Sequence, residues 1–152
     1  MARPFLLIED SYADVQLFIG LVKRIGLINP VTIEATVGSA QQFLAQCDTD
    51  RLPVIIFAGT QLRGGHSLDL LDWAPQQDAS IAAIPMIALV DPDDEPARSH
   101  AAAHRVTSVP KPLDMYELIA AMKALGLAEK VKIDNSTLTV QVELCPRVDG
   151  AP

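Results

Sequence analysis

The sequence predicts an α/β fold, a doubly wound parallel sheet of five strands with helices on both faces. Three observations predict it. Apolar runs of strand length alternate with segments whose apolar residues recur at helical spacing. Two of the runs, Phe5-Leu6-Leu7-Ile8 and Val54-Ile55-Ile56-Phe57-Ala58, show no polar alternation, as expected of strands covered on both sides. Polar or small residues follow the runs at once (Glu9-Asp10, Gly59, Asp91 after Val90, Lys111), where such a sheet collects its functional groups.

Each element has its own signal. After the first strand, Val15, Phe18, Ile19, Val22 and Ile25 line one helical face, and Gly26 closes the helix. Pro30 introduces a second strand over residues 31–35. Ser39 is the expected N-cap of a helix burying Phe43, Leu44 and Cys47. Pro53 introduces the third strand, Gly59 to Gly65 forms a loop, and Ser67 to Trp73 forms a short helix ended before Pro75. Pro85 opens the fourth strand, Met86 to Val90. An acidic loop leads to a small-residue helix from Ala97 to His104. Val106 to Val109 is the fifth strand, Lys111-Pro112 a turn, and Met115, Leu118, Ile119, Met122 and Leu125 the face of a last helix stopped at Gly126. Alternation of this kind implies right-handed βαβ units. Residues 1–127 are read as one domain. Residues 128–152 are an extension in which Val131 and Ile133, then Leu138, Val140, Val142 and Leu144, alternate with polar residues around Asp134-Asn135-Ser136, the pattern of a β-hairpin.

Composition narrows the function. The 152 residues carry a net charge of −7, so a phosphate backbone is a poor partner and nucleic-acid binding is not expected. No apolar run is long enough to cross a bilayer, and Met1-Ala2-Arg3-Pro4 lacks the pattern of a signal peptide; a cytoplasmic location is expected. Cys47 and Cys145 are read as free thiols, and Asn135-Ser136-Thr137 as a chance sequon. Gly64-Gly65 lacks the spacing of a phosphate cradle, and no Gly-x-Ser-x-Gly nucleophile motif is present. His100 and His104, four apart, share a helix face at metal-ligand spacing, but no third ligand is evident and they are read as surface histidines.

In this order the residues resemble the receiver domain of two-component response regulators, over residues 4 to 127. Leu6-Leu7-Ile8-Glu9-Asp10 resembles that family's first strand and acidic pair. Leu52-Pro53 with the run to Ala58 resembles its third strand, Ile84-Pro85 its fourth, and Val109-Pro110-Lys111-Pro112-Leu113 its Lys-Pro junction. The resemblance implies a flavodoxin-like sheet of order 2-1-3-4-5. It also implies phosphoryl transfer from a sensor kinase to an Asp at the end of the third strand, with the acidic pair holding Mg²⁺. Aligned without gaps, on Pro53, Leu62 and Leu70-Leu71, the acceptor position falls on Gly59, the Thr/Ser position on Val90 and the aromatic switch position on Ser108. Of the family's set only the acidic pair Glu9 and Asp10 and the lysine, Lys111, remain.

Glycine offers no carboxylate nucleophile, valine no hydroxyl hydrogen bond, and Mg²⁺ is held weakly when a carboxylate ligand is missing. The expectation is a pseudo-receiver: no enzyme, no cofactor, and Mg²⁺ binding weak or absent. The acidic pair is read as exposed, with Lys111 neutralising one member through an ion pair that stands in for the metal–phosphate network. Such a protein would signal by phosphorylation-independent contact with a sensor kinase or a downstream signalling protein, using the face of residues 97–125. The hairpin would cover its own domain, pair with a second copy or offer a strand to a partner. The alternatives are phosphorylation on a substitute acid, Asp91 or Asp10, and a small-ligand sensor using the space at Gly59. Asp91, Asp93, Asp94 and Glu95 are otherwise read as a solvated acidic loop.

Overall fold

Phe5–Ile8 forms β1, and all four of its side chains are buried, which fits its unbroken apolar run. The structure, a computed structural model, describes residues 3–62, 65–134 and 139–144, with side-chain surroundings up to residue 128. Cys145, Gly64 and the whole sequon, Asn135-Ser136-Thr137, lie outside the described residues.

Helix α1 (Tyr12–Arg24) follows, capped by Ser11, whose side chain accepts from Asp14 N–H. Then come β2 (Val31–Glu34), α2 (Val37–Gln46) and β3 (Ile55–Gly59). Two short strands, β4 (Gln61–Leu62) and β5 (Gly65–His66), form a small antiparallel hairpin where the sequence suggests only a loop. Past it lie α3 (Leu70–Trp73), α4 (Ala79–Ala82), β6 (Met86–Val90), α5 (Glu95–Ala103), β7 (Thr107–Pro110) and α6 (Met115–Ala124). The chain ends its described course in β8 (Ala128–Asp134) and β9 (Thr139–Leu144), an antiparallel pair.

The main sheet has the order β2-β1-β3-β6-β7, and its neighbouring strands pair in parallel. This is the expected doubly wound topology, with the two short hairpin strands counted in. Side chains alternate between its faces. Phe5, Leu7, Phe57, Ile87, Leu89 and Val109 pack on α1 and α6, through Phe18, Val22, Leu118 and Met122. Phe57 sits between Phe5 and Phe18, with ring centroids 5.8 and 4.7 Å away. On the other face Leu6, Ile8, Ile56 and Ala58 pack on Ala40 and Leu44 of α2, while Ala88 and Val90 pack on Ala97 and Ala101 of α5. The small residues of α5 let that helix lie close to the sheet, which explains its weak amphipathic pattern.

Some local details differ from the sequence reading. The N-cap of α2 is Thr36, not Ser39. Ser39 sits three residues in, and the two side chains cap each other's backbone N–H groups as a capping box. The α-helix α3 ends at Trp73, before Pro75 as expected, and a 3₁₀ turn over Ala74–Gln76, which accepts proline in its first turn, then leads towards α4. Gly26 and Gly126, at φ 81° and 72°, do end α1 and α6, in the left-handed conformation that glycine adopts without steric cost. The hairpin does not stand apart: β8 contacts α6, and β9 contacts α1. Among the described residues, no helix is long and apolar enough to cross a membrane.

Candidate functional site

The carboxyl ends of β1, β3 and β7 meet at a partly buried cluster of charges. Glu9, directly after β1, is only 3% exposed. Its Oε1 accepts hydrogen bonds from the backbone N–H groups of Asp10 (3.1 Å) and Ser11 (3.2 Å), where the chain turns into α1. Its Oε2 accepts from Lys111 Nζ at 2.7 Å. Lys111 stands just after β7, held there by its own N–H bonding to Val90 O at 2.9 Å and followed by a cis bond to Pro112. A second hydrogen bond from Nζ, of 2.9 Å, goes to Asp14 Oδ2 in the first turn of α1.

Burial lowers the proton affinity of the Lys111 ammonium. The hydrogen bonds and charges of Glu9 and Asp14 more than offset this, so its pKa lies above the ordinary lysine value. The expected ion pair is therefore present, with two differences. Glu9 is buried rather than exposed, and Asp14, which the sequence does not single out, is the second acid on the lysine. Asp14 lies one helical turn past Glu9-Asp10, a first-turn acid whose favourable place beside the helix N-terminus was the available signal.

Gly59 explains how Glu9 fits. It is the last residue of β3 and lies beside Glu9. A Cβ built on Gly59 would overlap Glu9 Oε2 and approach Glu9 Cδ to 2.9 Å. The glutamate carboxylate thus fills the space that any side chain at position 59 would need. A cavity of about 20 Å³ remains beside the ion pairs, bounded by Leu7, Glu9, Leu89 and Lys111, room for about one water. The donor set does not fit Mg²⁺, which wants oxygen ligands in octahedral array. Both Glu9 oxygens are already engaged by N–H donors, one of them a cation, and Gly59 has no ligand to add.

Val90 is buried in the apolar cluster beneath α5, with its strand register opposite Pro110, and its side chain brings no polar group to the site. Ser108 is half-buried on β7, opposite Ala88. Asp10 and Asp91 are both half-buried. The acidic loop after β6 is not uniformly solvated: Asp94 is buried at 8% exposure. Its Oδ1 accepts from Ala97 N–H, capping α5, and its Oδ2 accepts from the Thr60 hydroxyl at 3.2 Å and the Gln61 amide at 3.3 Å. The sequence signal for this cap is Asp94-Glu95-Pro96, an N-cap ahead of proline in the first turn.

Three comparisons bear on this architecture. No family model matches the chain, and no curated protein matches it in sequence. Many solved structures match it in fold. The bacteriophytochrome response regulator AtBRR shares 21% identity at a TM-score of 0.73, over 88% of this chain and 99% of that one. The bacteriophytochrome response regulator RtBRR shares 23% at 0.72, over 88% and 84%. A response regulator receiver protein from Pseudomonas putida shares 18% at 0.65, over 82% and 98%. The fold is thus that of response regulator receivers, as the sequence resemblance implies, and it places this chain among proteins of receiver architecture.

Proposed function

We propose that this protein is a pseudo-receiver, a signalling module of receiver architecture that acts by protein–protein contact without phosphoryl transfer or other catalysis. The observation that supports the reading is the internal ion pair of Lys111 with Glu9 and Asp14 beside Gly59. The position aligned with the acceptor is Gly59, its side-chain space is taken by the Glu9 carboxylate, and Lys111 is bound to Glu9 and Asp14. A lysine held at 12% side-chain exposure between two acids is not poised to receive a phosphoryl oxygen. The one-water cavity likewise gives no support to a small-ligand sensor.

The contact surface we assign is the face of α5, β7 and α6, residues 97–125, where Tyr116 is exposed and Ser108 replaces the aromatic switch. A sensor kinase or a downstream signalling protein is the partner class, and a second copy of the chain is the other occupant this face could take. Intact mass after incubation with Mg²⁺ and acetyl phosphate tests the reading, with a conventional receiver as control. We expect no adduct while the control is modified. An adduct of one phosphate overturns the reading, and Asp91→Asn and Asp10→Asn then identify the carboxylate that accepts.

A further inference from the structure

All three histidines of the chain gather on one surface. His100 and His104 lie one turn apart at the end of α5, with ring centroids 4.7 Å apart. His66, on β5, lies parallel to His100 at 6.4 Å. Asp72 of α3 completes the group: one ligand atom each from Asp72, His100 and His104 lies within 4.8 Å of the others. The third ligand, not evident in sequence, comes from a helix 28 positions upstream of His100.

The hydrogen bonds fix which ring nitrogens are available. His104 Nδ1 lies 3.1 Å from the His100 carbonyl oxygen. A carbonyl only accepts, so Nδ1 carries the proton, and in the neutral ring Nε2 carries the lone pair. That nitrogen is 3.3 Å from Asp72 Oδ1. A lone pair and a carboxylate oxygen facing each other at this distance are a donor pair that a metal ion can bridge. The bond from Nδ1 to a backbone carbonyl is also the second-shell arrangement that orients a metal-bound imidazole. His66 differs. Its Nδ1 accepts from Leu68 N–H at 3.2 Å, so the ring stacks on His100 with that nitrogen already engaged.

We propose that Asp72, His100 and His104 form a binding site for a divalent transition metal, Zn²⁺ in the first instance, with its fourth position open. Zinc takes imidazole nitrogen and carboxylate oxygen at about 2.0–2.2 Å, so tetrahedral ligand atoms stand about 3.3–3.5 Å apart. The His104–Asp72 pair is already at 3.3 Å. The remaining separations, up to 4.8 Å, close by side-chain rotation, because Asp72 and His104 are exposed and His100 is only half-buried. His66 walls one side of the site without ligating.

Titration calorimetry of the untagged chain with Zn²⁺ tests the site. We expect one Zn²⁺ per chain, and an affinity lowered by about a hundredfold or more in His104→Ala and in His100→Ala, since even second-shell losses cost 10–100-fold. Asp72→Asn weakens binding in the same direction, while His66→Gln stays within a few-fold of the wild type. Co²⁺ gives an independent readout: visible d–d absorption without thiolate-to-metal charge transfer. Absence of Zn²⁺ binding up to about 0.1 mM overturns the proposal. So does binding unchanged in the double variant His100→Ala/His104→Ala, or a thiolate charge-transfer band, which would put the metal on a cysteine.

Discussion

Two clusters of ionisable side chains sit on this sheet, and they are built oppositely. At the ends of β1 and β7, Glu9 is buried and Lys111 half-buried, the Glu9 carboxylate accepts from N–H donors on both oxygens, and it occupies the space that a side chain at Gly59 would need. On the α3–α5 surface, Asp72, His100 and His104 approach one another with their ligand atoms facing, on exposed or half-buried side chains. The first cluster has its cation built in. The second has the donor set for one and none from its own chain among the described residues. Closeness of charged groups therefore says little by itself. A completed hydrogen-bond inventory marks a structural site, while facing acceptors are what the proposed metal site rests on.

The largest expected effect lies in the closed cluster. Lys111→Met should cost about 3 kcal/mol or more in urea denaturation, because Glu9 is then a buried carboxylate without its cation. The pH dependence sharpens the same point. A lysine whose folded pKa is raised stabilises the fold fully below its unfolded value of about 10.4 and loses that contribution as pH rises through the folded value. Wild-type stability should therefore fall along an alkaline limb above about pH 10. Lys111→Met should lack the part of that limb that Lys111 causes. If the variant is as stable as the wild type at neutral pH, the ion pair is not what holds this end of the sheet.

Next in size is Gly59→Ala. Its Cβ would overlap Glu9 Oε2, so the glutamate must shift off Lys111, at a cost of about 1–3 kcal/mol. In the background of Glu9→Ala the same substitution should cost much less. A coupling energy of about 1 kcal/mol or more in the double-mutant cycle would tie the glycine to the glutamate. Additivity would mean that Gly59 is glycine for some other reason.

How much of this was legible in the sequence depended on distance along the chain. The five strands of the main sheet were legible because runs such as Phe5–Ile8 and Met86–Val90 are apolar without interruption, and the glycine stops because Gly26 and Gly126 follow periodic segments. Lys111 beside Glu9 was legible through the resemblance to receivers, which fixes strand ends relative to one another. The burial of Glu9 was not. A glutamate reads as exposed, and only the pairing of β1 with β3 puts Gly59 beside it to make room. Asp94 was lost in a run of acids whose members differ in burial, and that difference depends on Thr60 and Gln61 reaching it across 34 and 33 positions. The histidine cluster was legible only in part for the same reason. His100 and His104 show their spacing in sequence, while Asp72 and His66 arrive through the packing of α3 and β5 on α5.

The smallest effect tests the open cluster. In the presence of a chelator, His104→Ala should change stability by no more than about 0.5 kcal/mol, since an exposed histidine–carboxylate contact contributes little to folding. The contrast with Lys111→Met is then roughly sixfold or more for two contacts that each pair a nitrogen with a carboxylate oxygen. With Zn²⁺ added, the wild type should gain thermal stability in proportion to the logarithm of metal concentration, while His104→Ala should gain little. A large loss for His104→Ala under chelator would break the comparison. It would mean that the Asp72–His104 contact already acts as a structural brace between α3 and α5, as Lys111 does between β1 and β7.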